Sequence, residues 1–216
     1  MAIPNIKRLE EAISEALGRS KRRNFKQSVE LIVVLRGLNL KDPSSKIRET
    51  TFLPNPISKR VKICVVADGE TAIKAKEAGA DRVLTRTELQ ELAGDRKSTK
   101  KIVEEHDWFL IRTDLMAQAG RILGPLLGPR GKIPVPVPPN VDIASLIEKY
   151  RSAVLLRIKN QPQIMCRIGT EDMPAKKLAE NAHHILLTLS HRLPEGERNI
   201  YRIYVKTTMG PAIEVR

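Results

Sequence analysis

The middle of the chain alternates strand patterns with helix patterns, and this order restricts the fold more than any other feature of the sequence. Strand-like runs at 61–67, 82–84 and 108–111 are separated by helical patterns at 71–78, 88–92 and 99–105, and a short helix follows at 115–119. Parallel strands require crossover connections, which are usually helices. The sequence therefore predicts an α/β domain of the Rossmann-like type, with three layers and a parallel sheet in the middle.

Both ends of the chain follow a different pattern. Residues 6–17 and the segment that begins at Pro174 have apolar residues at helical spacing, and the runs 29–35, 47–53, 153–159, 163–169, 201–205 and 212–215 are β-prone. This pattern predicts one α+β terminal domain whose antiparallel sheet is formed by both chain ends. We place this discontinuous domain at residues 1–58 plus 155–216, with the α/β domain inserted at residues 59–154.

The distribution of charge supports this division. The chain has 38 Lys/Arg and 25 Asp/Glu, a net charge of +13. Residues 1–60 carry a surplus of +7, residues 61–150 only +1, and residues 151–216 +5. A merely solvated surface has no reason to concentrate its cations at the two ends of a chain. The ends are therefore expected to form one basic body with an anionic partner.

Composition excludes several other classes of protein. With 216 residues and 41% hydrophobic content, the chain can bury one or two ordinary cores. No run approaches the roughly 18 apolar residues of a membrane span, and the first residues lack the apolar region of a signal peptide, so we expect no membrane partner and a cytoplasmic location. Cys64 and Cys166 lie far apart in β-like runs without metal-ligand spacing, so we predict two small core residues and no metal site.

A short stretch near the C-terminus is the first candidate site. Alternation before Thr207 and a Gly-Pro break after Met209 place residues 208–211 on a connection between two strands. Two hydroxyl side chains, a flexible thioether and the small Gly210 suit a surface against which a sugar-phosphate chain could lie. The alternative is a hairpin turn with an incidental methionine.

A second candidate is Phe25, which follows the basic run Lys21-Arg22-Arg23. An exposed aromatic ring beside cations can stack on a base while the cations reach phosphates. The alternative is a core anchor next to a solvated basic segment.

The Gly/Pro-rich run at 124–139 is the third candidate site. A phosphate-binding P-loop needs a glycine five positions before the Gly131-Lys132 pair and a hydroxyl after it, but these positions hold Leu126 and Ile133. We therefore predict a semi-rigid, extended basic loop, with Arg130 and Lys132 available for a second nucleic-acid contact. The alternative is a stiff connection without a binding role.

No pattern for catalysis stands out, and we predict no catalytic residue and no cofactor. The first strand of the middle domain is followed by a single glycine, Gly69, so it lacks a dinucleotide fingerprint. Acidic pairs such as Glu104-Glu105 are neighbours in polar surroundings. The competing hypothesis is a nucleotide-dependent RNA-processing enzyme that holds nucleotide in the middle domain and recruits RNA with its basic ends.

Three motifs in this order resemble a known family. The run from Gly124 to Val135 looks like the signature of the large-subunit ribosomal protein that builds the mobile side stalk, the L-one family, which also has Asn24-Phe25 before a strand and the run 207–211 near its C-terminus. The likeness covers essentially the full length. Arg23-Asn24-Phe25 and the continuation 137–140 are closer to archaeal and eukaryotic members than to bacterial ones.

The resemblance implies an RNA site on the discontinuous domain. Matched residue by residue, this site comprises Glu15, Phe25, Ser28, Thr207, Thr208, Met209 and Gly210. Asn24 and Arg202 stand where bacterial relatives often have lysine and serine, so those two contacts are not carried over.

The resemblance also implies partners and roles. The first partner is large-subunit rRNA, which family members bind at a stem-loop to form the side stalk. The second is exit-site tRNA, whose release they assist after it is discharged. The third is the protein's own mRNA, whose translation many members repress. A repressor outside the ribosome would use the same surface. Members are monomers when free.

Overall fold

The computed structural model describes residues 3–42, 47–58 and 60–215. In chain order its elements are α1 (Ile6–Gly18), β1 (Ser28–Leu35), β2 (Arg48–Phe52), β3 (Ile63–Val66), α2 (Glu70–Glu77), β4 (Arg82–Leu84), α3 (Arg86–Gly94), α4 (Arg96–Glu105), β5 (Trp108–Arg112), α5 (Met116–Arg130), β6 (Pro134–Val137), α6 (Ile143–Arg151), β7 (Ala153–Arg157), β8 (Gln163–Thr170), α7 (Ala175–Arg192), β9 (Ile200–Thr207) and β10 (Ile213–Glu214). Short 3-10 turns lie at Thr113–Leu115 and Gly196–Asn199.

The chain divides into two units. The terminal unit consists of Met1–Lys59 with Ser152–Arg216, and the inserted unit is Arg60–Arg151. The terminal unit carries 22 Lys/Arg and 12 Asp/Glu, a net charge of +10, whereas the inserted unit carries +3. Most of the positive charge of the chain therefore belongs to one unit.

The terminal unit is built on a four-stranded antiparallel sheet in the order β10-β9-β1-β8. β1 comes from the start of the chain, and both of its neighbours come from the end. Its residues alternate between buried and half-buried positions along the strand, as expected for a sheet with one covered face. The prediction of an antiparallel sheet formed by both chain ends is confirmed.

Two helices cover the buried face of this sheet. α1 contributes Leu9, Ile13 and Ala16, which lie three or four residues apart and are fully buried. Asn5 begins this helix by accepting a hydrogen bond from the Arg8 backbone N–H at 2.9 Å. α7 contributes a longer apolar stripe that includes Leu178, and β2 pairs with β7 in a separate two-stranded sheet.

The inserted unit has a parallel sheet in the order β4-β3-β5-β6. Every residue of β3 is buried, because helices cover both faces. Side chains that include Cys64 and Phe109 pack with α3, α4 and α5, while the Trp108 ring meets the Tyr150 ring of α6 at a centroid distance of 5.2 Å. The predicted three-layer α/β architecture is confirmed.

One local prediction is wrong. The Gly/Pro-rich run does not begin as an extended loop, because α5 continues through Pro125 and Pro129 to Arg130. Residues at four-residue spacing, Leu115, Ala119, Leu123 and Leu127, are all essentially buried. Burying each leucine contributes about 2 kcal/mol, which together with the surrounding helical hydrogen bonds offsets the helix-breaking tendency of proline. The helix ends at Gly131, whose φ of 74° favours glycine.

The close packing of β8 on α7 predicts a cost for adding a single methyl group. A Cβ on Gly169 would lie 2.3 Å from Leu178 Cδ2 and 2.7 Å from Met173 Sδ, and both of these side chains are buried. We expect Gly169→Ala to lower the free energy of unfolding by about 1–3 kcal/mol in chemical denaturation. Gly18→Ala, at a helical position with open space around it, should leave stability unchanged or raise it. Equal effects of the two substitutions would contradict this account of the packing.

Candidate nucleic-acid interface

The connection between β9 and β10 lies at one end of the terminal unit's sheet. It begins after Thr207 and is a tight turn, since the Gly210 N–H donates to the Thr207 carbonyl at 3.2 Å. The Met209 side chain is 58% exposed. The prediction that residues 208–211 connect two strands is therefore confirmed, and the turn presents a large apolar side chain to solvent.

Ser28 and Thr208 lie directly side by side, although 180 residues separate them in the chain. The Ser28 N–H donates to Thr208 Oγ1 at 3.0 Å, and the Thr208 N–H donates to the Ser28 carbonyl at 3.0 Å. The Lys206 ammonium donates to the Thr208 carbonyl at 2.9 Å. Two of the predicted site residues are thus joined by the antiparallel pairing of β1 with β9.

A buried glutamine holds the turn from below. Gln27 is fully buried, and its Oε1 accepts from the Met209 N–H at 3.1 Å. Its Nε2 donates to Ser20 Oγ at 2.9 Å, to the Lys21 carbonyl at 3.1 Å and to Glu171 Oε2 at 3.1 Å. One amide therefore connects the end of α1, the segment after β8 and the turn after β9.

The sequence interpretation missed Ser20, Gln27 and Glu171, although a signal for Gln27 was available. The inward alternation of β1, at Val29 and every second residue after it, extends back to position 27. A polar amide at an inward position must find buried partners, because an unsatisfied buried polar group costs about 1–3 kcal/mol. Which partners it finds depends on segments that are distant in sequence.

Thr207 and Gly210 pack against each other and do not present side chains at the surface. Thr207 is fully buried, and its hydroxyl lies 2.8 Å from Ser20 Oγ. A Cβ on Gly210 would lie 2.3 Å from Thr207 Oγ1, so any larger residue at position 210 would displace this hydroxyl. The two residues therefore shape the turn that presents Met209.

Phe25 and Glu15 are both exposed at the surface of the terminal unit. The Phe25 side chain is 49% exposed, so it is not the core anchor of the alternative interpretation. Glu15 forms an ion pair with Arg19 at 2.8 Å and lines an open groove between α1 and β10 that also includes Arg8 and Glu214. The arginine is thus positioned by the acid on the preceding helical turn.

An ion pair fixes the segment next to Phe25. The Lys26 ammonium lies 2.9 Å from Asp172 Oδ2, and the Thr170 hydroxyl donates to Asp172 Oδ1 at 2.5 Å. The Thr170 hydroxyl, followed by Lys26, lowers the pKa of the Asp172 carboxyl to about 2. The segment before β1 is therefore tied to the segment after β8.

Arg130 and Lys132 are engaged within the inserted unit. The Lys132 ammonium donates to the carbonyls of Val103 at 2.6 Å and His106 at 2.5 Å, which lie at the C-terminal end of α4. The Arg130 guanidinium pairs with the Glu104 carboxylate and donates to the Leu126 carbonyl at 3.3 Å. These cations join the end of α5 to the end of α4.

The inserted unit has ion pairs where a doubly wound sheet usually binds its ligand. The order β4-β3-β5-β6 places the topological switch point between β3 and β5. After those strands, Asp68 accepts from the Arg86 side chain at 3.2 Å, and Arg112 donates to both carboxylate oxygens of Asp114 at 2.7 and 2.6 Å. The two arginines and two aspartates at this edge neutralise one another, so the groups that a phosphate would need are already occupied by ion pairs.

Both cysteines are buried residues of the core. Burial raises the pKa of the Cys64 and Cys166 thiols to about 12, so both stay protonated at neutral pH. Among residues 3–42, 47–58 and 60–215, no three His, Cys, Asp or Glu side chains come together as a metal site. Across the same ranges, no helix has the length and apolar character that crossing a membrane requires.

Fold and surface together define a class of two-unit protein in which a basic α+β unit, closed by both chain ends, carries an inserted α/β unit. Comparison with known proteins identifies the family. Residues 16–211 match the Ribosomal protein L1p/L10e family, and the chain belongs to it. It is accordingly a structural protein of the ribosome and not an enzyme, and it shares the cytoplasmic location of ribosomes.

Individual relatives align over nearly the whole chain. The large ribosomal subunit protein uL1 of Staphylothermus marinus is 59% identical and covers 100% of this chain and 99% of its own length. The protein of the same name from Hyperthermus butylicus is 56% identical and covers 96% of this chain and 95% of its own length. The one from Methanothermobacter thermautotrophicus is 43% identical and covers 95% of this chain and 97% of its own length. All three are archaeal, which confirms the branch predicted from the sequence.

The contact between Gly210 and Thr207 predicts coupling between the two positions. Gly210→Ala should lower the free energy of unfolding by about 1–3 kcal/mol, because the new methyl group displaces the Thr207 hydroxyl. In a Thr207→Ala background the same substitution should cost less, since the obstructing oxygen is gone. Denaturation of the four proteins measures this coupling as a double-mutant cycle. An identical cost in both backgrounds would show that the strain lies elsewhere.

The lowered pKa of Asp172 predicts a pH-dependent contribution to stability. A carboxyl whose pKa falls on folding stabilises the fold above its ordinary pKa near 3.8, and this contribution disappears as the pH falls toward 2. Asp172→Asn should therefore lose roughly 1 kcal/mol at pH 7, a small amount because the carboxylate is half exposed and screened by solvent. In denaturation experiments, the difference from the unmodified chain should shrink as the pH falls below about 4 and vanish below pH 2.

A second variant separates the two causes of this shift. Lys26→Met should keep part of the pH dependence, since the Thr170 hydroxyl, the largest single cause of the lowered pKa, is still present. Complete loss of the pH dependence in Lys26→Met would instead assign the effect to the ion pair.

Proposed function

We propose that the terminal unit binds a stem-loop region of large-subunit rRNA and thereby forms the mobile side stalk of the subunit. The observation that carries this proposal is the rigid turn after β9, where an exposed Met209 is held by buried hydrogen bonds in a unit of net charge +10. A turn whose backbone is already held in place loses little backbone conformational entropy on binding. The surrounding cations supply the attraction to phosphates.

The proposed contact surface comprises Glu15, Phe25, Ser28, Thr208 and Met209, with Thr207 and Gly210 shaping the turn. Met209 and Phe25 provide apolar area for sugars and bases, and the hydroxyls of Ser28 and Thr208 can exchange hydrogen bonds with 2'-hydroxyls. Glu15 must accept from 2'-hydroxyls or base amines, or position Arg19 toward a phosphate, because a carboxylate facing a phosphate is repelled.

The same surface supports a role in regulation. A messenger that mimics the ribosomal stem-loop would bind the same residues, so the chain would repress translation of its own mRNA when rRNA is scarce. Affinity for the leader of its own mRNA should then fall in parallel with affinity for rRNA in every variant of this surface.

Assistance in releasing deacylated tRNA from the exit site belongs to the same proposal, with Arg130 and Lys132 as the second nucleic-acid contact. The two residues differ in what such a contact would require. Arg130 lies on the surface and could contact a phosphate while it keeps its ion pair with Glu104. Lys132 would first have to break its hydrogen bonds to the carbonyls at the end of α4. Arg130 is therefore the better candidate of the two.

Replacing Met209 by aspartate tests the proposed rRNA site. A charge without a partner in the interface should weaken binding to large-subunit rRNA by at least about 100-fold, measured by titration with unrelated RNA as competitor. Ile73→Asp is a matched control, because Ile73 is 59% exposed and lies on α2 of the inserted unit. Unchanged affinity of a correctly folded Met209→Asp protein would reject the site.

A further inference from the structure

The terminal unit's sheet has a second face that points away from α1 and α7. On β1 the residues of this outer face are Ser28, Glu30, Ile32 and Val34, which alternate with the buried core positions. These β1 residues are half-buried, and Met165, Tyr201 and Arg202 on the neighbouring strands are exposed. The outer face is therefore an open β-surface, and Ser28 at its first position also belongs to the proposed rRNA site.

The strand register arranges the outer face in rows that cross three strands. Ile32 lies opposite Met165 on β8 and opposite Tyr204 on β9, which gives an apolar row. On the side toward Ser28, Glu30 lies between Arg167 and Lys206. Residues opposite one another on antiparallel strands share a face, so these side chains form one continuous surface.

A β-bulge adds an aromatic residue at the far end of this surface. Val34 pairs with Arg202 and Leu35 pairs with Ile200, so Tyr201 is the extra residue. Ile200 and Ile203 are buried while Tyr201 and Arg202 are exposed, so both exposed side chains point outward in succession. A bulge is a known means of redirecting a side chain toward a ligand.

Two arginines flank this tyrosine. The guanidinium carbons of Arg36 and Arg202 lie 5.7 and 5.1 Å from the centre of the Tyr201 ring. Tyr201 as a residue is nevertheless 45% exposed, so it remains accessible to a ligand. Both guanidiniums lie over the ring, so a base would stack on the part of the ring that they leave open, while its phosphate meets the same cations.

The charge of the outer face indicates which partner fits. Its cations are Arg36, Arg167, Arg202 and Lys206, and its acidic residues are Glu30 and Glu214. The surplus is positive, and the apolar row lies between the charged rows. Bases that stack while their phosphates reach cations on either side match this pattern.

We propose that the outer face is a platform for unpaired nucleotides of the bound RNA, with Tyr201 as the base-stacking residue and Arg36 and Arg202 as its phosphate contacts. This inference rests on the proposed rRNA-binding function, and it extends that site from the Ser28–Thr208 end to the opposite end of β9. The RNA contact of the terminal unit would then run along the whole length of the sheet.

The test measures binding of the full-length chain to large-subunit rRNA, with Tyr201→Ala, Tyr201→Leu and Tyr201→Phe variants. Loss of stacking should weaken binding about tenfold in the alanine variant and nearly as much in the leucine variant. The phenylalanine variant should bind within about twofold of the unmodified chain, because its ring still stacks. Leu187→Ala, on the exposed side of α7 and 39% exposed, is the control in the same unit and should have no effect.

Chemical probing of the rRNA locates the contact. A small number of unpaired nucleotides should be protected by the unmodified chain and by Tyr201→Phe, and should become reactive with Tyr201→Ala. Equal affinity and equal protection for all three Tyr201 variants would overturn the proposal. It would be overturned in the same way if Tyr201→Ala bound isolated rRNA normally but were missing from assembled subunits, because the face would then contact another ribosomal protein. If Met209→Asp binds as tightly as the unmodified chain, the rRNA site itself is wrong; if only the Tyr201 variants are neutral, the site stands and the platform is rejected.

Discussion

The pairing of β1 with β8 and β9 is the constraint on which the rest of the terminal unit depends. β1 is an inner strand, and both of its neighbours lie more than a hundred residues later in the chain. Closing so long a loop has an entropic cost, but this cost grows only with the logarithm of loop length, so a large insertion is tolerated. The long ladders on both sides of β1 and the helices beneath them offset it. Because β1 starts where β8 and β9 end, the segments that carry Gln27, Glu171 and Thr208 meet at one end of the sheet.

The hydrogen bonds at that end turn proximity into a defined surface. Gln27 uses both ends of its amide, and Thr207 uses its hydroxyl, to hold segments that have no regular structure of their own. Buried bonds of this kind are worth only about 1 kcal/mol each when made, but they cost more when one partner is missing. A turn held in this way fixes the backbone of Met209. The residues that we propose to contact RNA and the residues that position them are therefore different sets, and Gln27 and Thr207 of the positioning set are fully buried.

The inserted unit shows where interpretation of local sequence failed. Glycine and proline are locally the strongest signals for a loop, and on that basis the run at 124–139 was expected to be extended. The structure continues α5 to Arg130, because leucines at four-residue spacing are buried in the core and outweigh the prolines. The side chains of Arg130 and Lys132 then reach back to α4, as a helix end with free carbonyls attracts cations. The Gly/Pro-rich run thus has a structural role in joining two helices.

The sequence by itself determined the two kinds of architecture, the insertion of one unit into the other, and the concentration of charge in the terminal unit. Periodicity and charge are properties of single residues and their near neighbours, so they can be read without coordinates. It also identified the turn at 208–211, because a Gly-Pro break between β-prone runs is a local signal. Only the tertiary structure decided that Gln27 supports Met209, that Thr207 is buried while Thr208 lies beside Ser28, and that a bulge turns Tyr201 outward. Each of these depends on the register between strands that are distant in the chain, and register is set by the packing of the whole sheet rather than by any segment of it.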